Sequence, residues 1–196
     1  MPLQYKVFLE VPYYSQPTDA TCYPTAIKMV MHYYEESFNM VKLYSKAKWP
    51  HGGTSEMANA ILASQGYKIH VYFNGSVDGW TFWAAKKKWA AKFIKKQISR
   101  AKYHGAKYKA NATLATIRNY LRNGIPVIAE VLASEFYNTQ ENFTHIIVIN
   151  GFDAKGFHIL DPYVKSKRKI SYKKFSDAWF SFNGVGRSII VILPPK

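Results

Sequence analysis

Residues 16–32 read Gln-Pro-Thr-Asp-Ala-Thr-Cys-Tyr-Pro-Thr-Ala-Ile-Lys-Met-Val-Met-His and contain the only cysteine of the chain. Turn-forming residues precede Cys22, and apolar residues follow it at helical spacing. Thr21 is a suitable N-cap, and Pro24 is tolerated in a first turn because its missing N–H has no partner to lose. The pattern predicts a buried helix that begins at Cys22 and runs to about Tyr34.

A thiol at the start of a helix lies near the positive end of the helix dipole. That position lowers the pKa of the thiol and favours the nucleophilic thiolate. A second interpretation of Cys22 stays open, because free cysteine is also among the most buried residue types and behaves as a small apolar side chain. A single cysteine excludes an internal disulfide and leaves the thiol free for chemistry.

A histidine and an aspartate that could act with this thiol lie far downstream. His145 opens an apolar, β-branched run, residues 154–156 turn the chain, and a second predicted strand ends at Asp161. A cysteine nucleophile needs a nearby base, and that base needs a third group to orient its ring. Taken alone, His145 is better explained as a neutral histidine satisfied at a strand end, and an Asp-Pro turn is a second explanation of Asp161. Together with Cys22 the two residues become candidate catalytic residues.

The register of this hairpin decides whether the aspartate can reach the histidine. A two-residue loop closed at Gly156 places Asp161 opposite Val148, on the face away from His145. One extra residue in the turn, which Gly156 could support as a bulge, places Asp161 opposite Ile147 and on the face of His145. We predict this irregular turn.

The motifs in this order resemble the bacteriocin-processing (double-glycine leader) peptidase-like family of papain-like cysteine peptidases. The resembling features are a glutamine six residues before a cysteine, a histidine opening a strand, and an Asp-Pro closing the next strand. The resemblance implies that Cys22 is the nucleophile, His145 the general base and Asp161 the orienting acid. It also implies that the Gln16 side-chain amide is an oxyanion-hole donor and that no cofactor is needed. Tyr23 departs from the family, which usually has a small residue there, so we expect its ring to narrow the cleft or to cover one wall of it.

Helical segments come first and a strand-rich half follows, so the sequence predicts an α+β fold. The resemblance implies a papain-like cysteine peptidase fold, with a helical lobe carrying the nucleophile at a helix N-terminus and an antiparallel β-sheet lobe. It implies a cysteine peptidase that cleaves a peptide or protein substrate through a Cys-His-Asp triad. Family members that cut after Gly-Gly are usually fused to a transporter; none is present here, so that substrate does not follow. The alternatives are an acyl or peptidyl transferase and a non-catalytic binding module.

The net charge of +15 comes mainly from one segment. No Asp or Glu occurs between Gly79 and Ala129, whereas residues 86–109 hold ten Lys or Arg. The spacing from Trp80 to Tyr103 predicts an amphipathic helix with a cationic polar face. We expect a single domain over 1–196 with a basic helical insertion at about 79–112. We expect residues 86–109 to recruit an anionic partner in one of two ways. A docked helix with a solvated lysine face would attract nucleic acid or an acidic protein, whereas a partly free aromatic face would meet a membrane surface.

The remaining composition is that of a folded globule, with 48% hydrophobic and 16% aromatic residues. No apolar run is long enough to span a membrane, and the N-terminus lacks the apolar segment of a signal peptide, so we expect a cytoplasmic protein. No histidine forms a metal-ligand spacing with another histidine or with Cys22, and we predict no metal site. Asp153, the rival of Asp161, is well explained as a turn residue.

Overall fold

The computed structural model describes residues 6–36, 43, 45–46, 55–74, 88–110, 112–140, 143–164, 166–179 and 186–195. The helices are α1 (Cys22–Tyr33), α2 (Ser55–Ser64), α3 (Lys88–Tyr103), α4 (Leu114–Arg122), α5 (Ala133–Tyr137) and α6 (Tyr172–Trp179). The strands are β1 (Val7–Phe8), β2 (Lys68–Asn74), β3 (Lys107–Lys109), β4 (Val127–Leu132), β5 (Thr144–Phe152), β6 (Gly156–Asp161), β7 (Ser166–Ser171) and β8 (Gly186–Leu193). Within these ranges, no helix combines the length and the apolar character that crossing a bilayer requires.

The eight strands of the described residues belong to one sheet, in the order β3-β2-β8-β4-β5-β6-β7, with β1 paired to β5. The neighbouring strands run antiparallel except β2 and β3, which are parallel and are joined in sequence through α3. The predicted α+β class with an antiparallel sheet is therefore confirmed, with one parallel pair at the edge. A parallel pair needs a crossover connection, and α3 supplies it.

Helices cover both faces of the sheet because the strands carry apolar residues on both sides. Alternate residues of β5 show the division: Ile146 and Val148 pack with α1 and α2, whereas Ile147 and Ile149 pack with α4 and α6. Up to Ile149, the residues of β5 with odd numbers thus share one face, which is the face of His145.

The hairpin turn between β5 and β6 is regular. The Asp153 N–H donates to the Gly156 carbonyl at 3.0 Å, and Phe152 pairs with Phe157, so the loop has two residues. A Cβ at Gly156 would lie 1.9 Å from the Ile170 carbonyl oxygen of β7, so glycine is required by close approach of a strand. The predicted bulge in the turn is therefore wrong.

The extra residue lies inside β5 instead. The register shifts between Ile149 and Gly151, which makes Asn150 the bulged residue. Its carbonyl accepts from the Leu9 N–H at 2.7 Å, and its side chain donates to the Leu9 carbonyl at 2.9 Å, so the bulge also holds the N-terminal segment. Beyond the bulge the pairing places Asp161 opposite Ile147. This is the predicted register, but the bulge in β5 produces it instead of an extra residue in the turn.

The basic segment is part of the folded body over its described residues. Helix α3 packs against α2 and buries Ile94, Gln97, Ile98 and Ala101. Its exposed side carries Lys92, Lys95, Lys96, Arg100 and Lys102. Residues 107–109, which follow the helix in the chain, form β3 at the sheet edge. The predicted helix start at Trp80 lies outside the described residues, and the insertion at about 79–112 stays a prediction.

Candidate active site

His145 and Asp161 meet on one face of the sheet. His145 Nε2 lies 3.0 Å from Asp161 Oδ1, and the two residues are 2% and 0% exposed. His145 begins the buried part of β5 and Asp161 ends β6, so the register created at Asn150 brings them together. The structure therefore places the predicted base and orienting acid within hydrogen-bond distance.

Asp161 accepts several further hydrogen bonds. Tyr137 Oη donates to both carboxylate oxygens, at 3.1 and 2.9 Å. Arg168 Nη2 donates to Oδ2 at 2.9 Å, and the Tyr163 N–H donates to Oδ1 at 3.0 Å. Burial acts to raise the pKa of the carboxyl, but the hydrogen bond and charge of His145, followed by the other donors, outweigh it. The pKa of Asp161 is thus held below its ordinary value, and the group is ionised near neutral pH.

Sequence reasoning missed Tyr137 and Arg168. Tyr137 ends the short helix α5, within a stretch that reads as a polar connection. Arg168 lies in a basic run, and only the pairing of Asp161 with Ser166 shows that the arginine two residues further on shares the carboxylate's face. Alternation of side chains along a strand in that basic run was the signal that could have placed Arg168 on the face of Asp161.

Aromatic rings enclose the histidine. The His145 ring centroid lies 5.7 Å from that of Tyr137 and 5.9 Å from that of Tyr163, and the two tyrosine rings are 5.9 Å apart. Tyr163 is 41% exposed, so its ring forms the outer wall of the site. This enclosure holds the imidazole in one orientation and limits the access of water.

Cys22 begins α1, as predicted, with Thr21 at the N-cap position. The Thr21 hydroxyl donates to the Thr18 carbonyl at 2.7 Å instead of capping the helix with its side chain. Cys22 itself keeps partial solvent exposure.

Burial raises the pKa of the Cys22 thiol to about 11. Backbone N–H groups of Ile146, Tyr23 and Cys22 itself act to lower it, as expected at a helix N-terminus, whereas the charge of Glu130 raises it. The predicted lowering of the thiol pKa is therefore wrong, because loss of solvation outweighs the helix terminus.

The Cys22 thiol lies beside the backbone of β5. Among the described residues, no hydrogen bond joins the His145 ring to the Cys22 sulfur. The sulfur interacts with the backbone N–H of Ile146, the residue after His145. A negative charge on Cys22 also acts to raise the pKa of Tyr137. Cys22 therefore lies beside the start of β5 and close to the residues that surround Asp161.

Gln16 lies in the loop that leads to α1. Its backbone N–H donates to the Pro162 carbonyl at 3.0 Å, which ties the loop to the end of β6. Its side-chain Nε2 donates to the Thr18 carbonyl at 2.9 Å, and its Oε1 is buried with no partner among the described residues. The amide is thus close to the helix start, and its role as an oxyanion donor stays a prediction.

Tyr23 points away from the cleft. It is 1% exposed, and its hydroxyl donates to Asn59 Oδ1 inside the core between α1 and α2. The expectation that this ring narrows the cleft is wrong, because position 23 falls on the buried face of α1.

No group of three or more His, Cys, Asp or Glu side chains in the described part of the chain is arranged to hold a metal ion. The candidate site therefore consists of a thiol, an imidazole and a carboxylate, with phenol and guanidinium groups around the carboxylate. Such a set supports nucleophilic and acid–base chemistry.

The model of the Peptidase_C39 like family matches residues 8–186. Similar solved structures include a C39-like peptidase from Bacillus anthracis, with 16% identity over 98% of this chain and 100% of that one and a TM-score of 0.59. The peptidase domain of Streptococcus ComA, a bi-functional ABC transporter of a quorum sensing pathway, has 15% identity over 97% and 99% and a TM-score of 0.56.

A third similar structure is a double glycine motif protease from an AMS/PCAT transporter in complex with the leader peptide. It has 16% identity over 97% of this chain and 99% of that one, with a TM-score of 0.52. Identities this low show the shared fold alone. No curated protein sequence matches the chain.

Proposed function

The chain belongs to the Peptidase_C39 like family, and from this membership we propose that it is a cysteine peptidase in which Cys22 attacks the carbonyl carbon of a peptide bond. The observation that carries the proposal is the buried contact of 3.0 Å between His145 and Asp161 beside the helix that begins with Cys22. A thiol, a base and an orienting acid are the groups that such acyl transfer requires.

His145 acts as the general base. Its Nε2 atom faces Asp161, so Nδ1 is the ring nitrogen left to accept the Cys22 proton. Because burial keeps the thiol protonated at rest, we expect the proton to leave only as the sulfur attacks. The resulting C–S bond gives a tetrahedral intermediate, whose oxyanion would receive donors from the Gln16 side chain and the Cys22 N–H.

Collapse of the intermediate completes the first half of the reaction. The C–N bond breaks, and the imidazolium of His145 gives its proton to the leaving amine. Water then attacks the thioester with His145 as base, which releases the carboxylic acid and restores the thiol. An amine in place of water would make the same site a transferase.

We propose a peptide or protein as the substrate. The related protease is described in complex with a leader peptide, so leader-type peptides with a double glycine are the first candidates to test. A peptide library that includes such sequences would be incubated with the protein, and cleavage sites read by mass spectrometry. Added amine nucleophiles would show whether hydrolysis or transfer dominates.

The matched variants are Cys22→Ser, Asp161→Asn and Asp153→Asn. We expect Cys22→Ser to reduce cleavage by about 10³-fold or more, and Asp161→Asn to reduce it strongly. Asp153→Asn should leave cleavage near the wild-type rate, because Asp153 lies at the hairpin turn. Cleavage that persists in Cys22→Ser would contradict the proposal.

We propose as a second candidate function that the exposed face of α3 binds a nucleic acid or another extended polyanion. Its exposed lysines and Arg100 have no acidic residue nearby in sequence, since none occurs between Gly79 and Ala129. The apolar side of the helix is buried against α2, which favours an electrostatic surface over insertion into a membrane.

Binding of duplex DNA at low salt would test this surface. We expect affinity that falls steeply as salt rises and that is lost in a triple variant Lys92→Glu, Lys96→Glu, Arg100→Glu. A double variant of β7, Lys167→Glu with Lys169→Glu, is the control on another surface. Equal binding by both variants, or binding only to anionic vesicles, would overturn this proposal.

A further inference from the structure

A cavity of about 210 Å³ lies outside the candidate active site, where β1, β5, β6 and β7 pair in this order. The side chains around it come from these four strands. They are Phe8, Asn150, His158, Leu160, Lys167 and Lys169. Leu160 belongs to the hydrophobic cluster that contains α1, so the cavity opens on the face of the sheet opposite to His145.

Strand pairing places the residues of one wall side by side. Phe8 pairs with Gly151, and Gly151 pairs with His158. Because Gly151 has no side chain, the Phe8 ring lies over β5 and contacts His158, with ring centroids 5.5 Å apart and planes at 87°. On the next strand, Lys169 pairs with His158 and continues the row. The wall is therefore aromatic at one end and basic at the other.

The Asn150 amide carries an acceptor that has no donor. Asn150 is 2% exposed, and its Nδ2 donates to the Leu9 carbonyl at 2.9 Å, which fixes the orientation of the amide. Its Oδ1 atom is buried with no hydrogen-bond partner in the described part of the chain. Buried polar atoms are nearly always hydrogen-bonded, because leaving a bond unmade is costly. Since Asn150 lines the cavity, a ligand with an N–H group would supply the missing donor.

The basic end of the cavity offers one available cation. Lys167 pairs with Leu160 across β6 and β7, so both side chains lie on the face of the cavity. Lys169 forms an ion pair with Asp153, which also lies 3.3 Å from His158 Nε2. Lys167 is exposed and takes part in none of the ion pairs of the described residues. Its ammonium is thus the group that can meet an anionic ligand.

We propose that this cavity binds the C-terminal residue of a peptide. The terminal carboxylate meets the Lys167 ammonium, the N–H of that residue donates to Asn150 Oδ1, and an apolar side chain packs against Phe8. The cavity is smaller than the roughly 300–1,000 Å³ of sites for drug-sized molecules, which suits a single residue. A free amino acid is disfavoured, because its ammonium would lie beside lysine cations. The site uses no residue of the candidate active site, so it does not depend on the proposed peptidase activity.

The probe is N-acetyl-leucine, which has the carboxylate, the N–H and the apolar side chain of a C-terminal residue. NMR of the full chain should show saturable shifts of the backbone amides of Asn150, His158 and Lys167. N-acetyl-leucine amide lacks the carboxylate, and N-acetyl-N-methyl-leucine lacks the N–H. Each analogue should bind about tenfold more weakly than N-acetyl-leucine, because one hydrogen-bonded contact is lost.

Variants of the protein test the same contacts from the other side. Lys167→Met should weaken N-acetyl-leucine binding about tenfold, at an exposed position where we expect no loss of folding. Lys155→Met is the matched control and should bind normally, because Lys155 is exposed at the hairpin turn and does not line the cavity. Phe8→Ala should reduce the preference for N-acetyl-leucine over N-acetyl-glycine.

Three results would overturn the inference. The first is no saturable binding, or equal binding by Lys167→Met and the wild type. The second is tighter binding of free leucine, which would make the cavity an amino acid site. The third is equal binding of acetate or inorganic phosphate, which would make it a general anion site. Peptide cleavage is measured separately on the same protein, so failure of the peptidase function would leave this binding result unchanged.

Discussion

The candidate site has two halves: the acid–base half, which is His145 with Asp161, and the thiol half, which is Cys22. The protein favours the anion of Asp161 and disfavours the anion of Cys22. The Asp161 carboxylate is fully buried, yet hydrogen bonds from His145 and its other donors keep its pKa below the ordinary value. The Cys22 thiol keeps partial exposure, yet burial of its surroundings raises its pKa to about 11. Burial disfavours the anions of both groups. Their pKa values shift in different directions because Asp161 has more hydrogen-bond donors than Cys22, and some of those donors are charged.

A helix N-terminus alone does not activate a thiol that has lost most of its solvation. The N–H groups at the start of α1 act to lower the pKa of Cys22, but the loss of solvation outweighs them. Among the described residues, no hydrogen bond from the His145 imidazole adds to their effect. Asp161 has a cation and a phenol among its partners, besides the imidazole. We therefore expect the acid–base half to be preorganised and the thiol to become nucleophilic only during attack.

The largest expected effect comes from removing the base. His145→Ala should lower peptide cleavage by about 10²–10⁴-fold, the usual contribution of general base catalysis. Alkylation of Cys22 by iodoacetamide should change far less, because no hydrogen bond joins the two side chains in the described structure. Both rates would be measured near neutral pH.

His104→Ala is the matched control, since His104 is exposed at the end of α3. If His145→Ala slowed alkylation as much as cleavage, the imidazole would already control the thiol in the free protein. The reactivity of Cys22 would then depend on His145 before any substrate binds.

The next prediction concerns the carboxylate network. Asp161→Asn should lower the free energy of unfolding at pH 7 by about 1–3 kcal/mol, because Arg168 and Tyr137 lose their anionic partner. The lowered pKa of Asp161 stabilises the fold above its unfolded pKa of about 3.9, and this contribution is lost as pH falls through the folded pKa. Urea unfolding at pH 7 and at pH 3 should therefore show a smaller difference between variant and wild type at the lower pH.

A difference that grows as the pH falls would contradict this assignment of the Asp161 charge. Asp177→Asn supplies the control, since Asp177 is exposed on α6 and pairs with Lys173 in a surface ion pair. Such a surface pair contributes about 0–1 kcal/mol.

A smaller effect is expected from the acid near the thiol. Glu130 pairs with Ile146 across β4 and β5, and its charge raises the pKa of Cys22. Glu130→Gln should lower that pKa below about 11 and raise alkylation at pH 8 by about threefold or more. The alkylation rate of Cys22 as a function of pH is the measurement.

Glu135→Gln on α5 is the control, because Glu135 is exposed. A Glu130→Gln profile that coincides with the wild type would leave desolvation as the sole cause of the raised thiol pKa. In the wild type, an alkylation midpoint near about 8.5, the pKa of a free cysteine, would show that burial does not raise the pKa of Cys22.

The smallest effect is expected at Tyr23. Tyr23→Phe removes the hydrogen bond to Asn59 and should lower the free energy of unfolding by about 1 kcal/mol. Peptide selectivity and Cys22 alkylation should not change, because the ring is buried away from the cleft. Tyr103→Phe is the control, because Tyr103 is 86% exposed. If Tyr23→Phe changed the cleavage preference and Tyr103→Phe did not, Tyr23 would have to line the substrate cleft.

The sequence by itself determined the order of the elements and the identity of the main candidates. Thr21 and the apolar spacing after it predicted where α1 begins, because capping and helical periodicity are local properties. His145 and Asp161 could be proposed together because a strand, a short turn and a returning strand are also read locally. The register that joins them was predicted, but its cause was placed in the turn instead of at Asn150.

Only the tertiary structure decided the properties that depend on several segments at once. The bulge at Asn150 follows from its bonds to Leu9, which lies 141 residues earlier in the chain. The direction of the Cys22 pKa depends on burial beneath β5 and on Glu130, and the inward turn of Tyr23 depends on Asn59 of α2. Arg168 joined the site because β7 pairs with β6. Solvation and diagonal contacts are set by neighbours in space, so residue type and spacing along the chain could not give them.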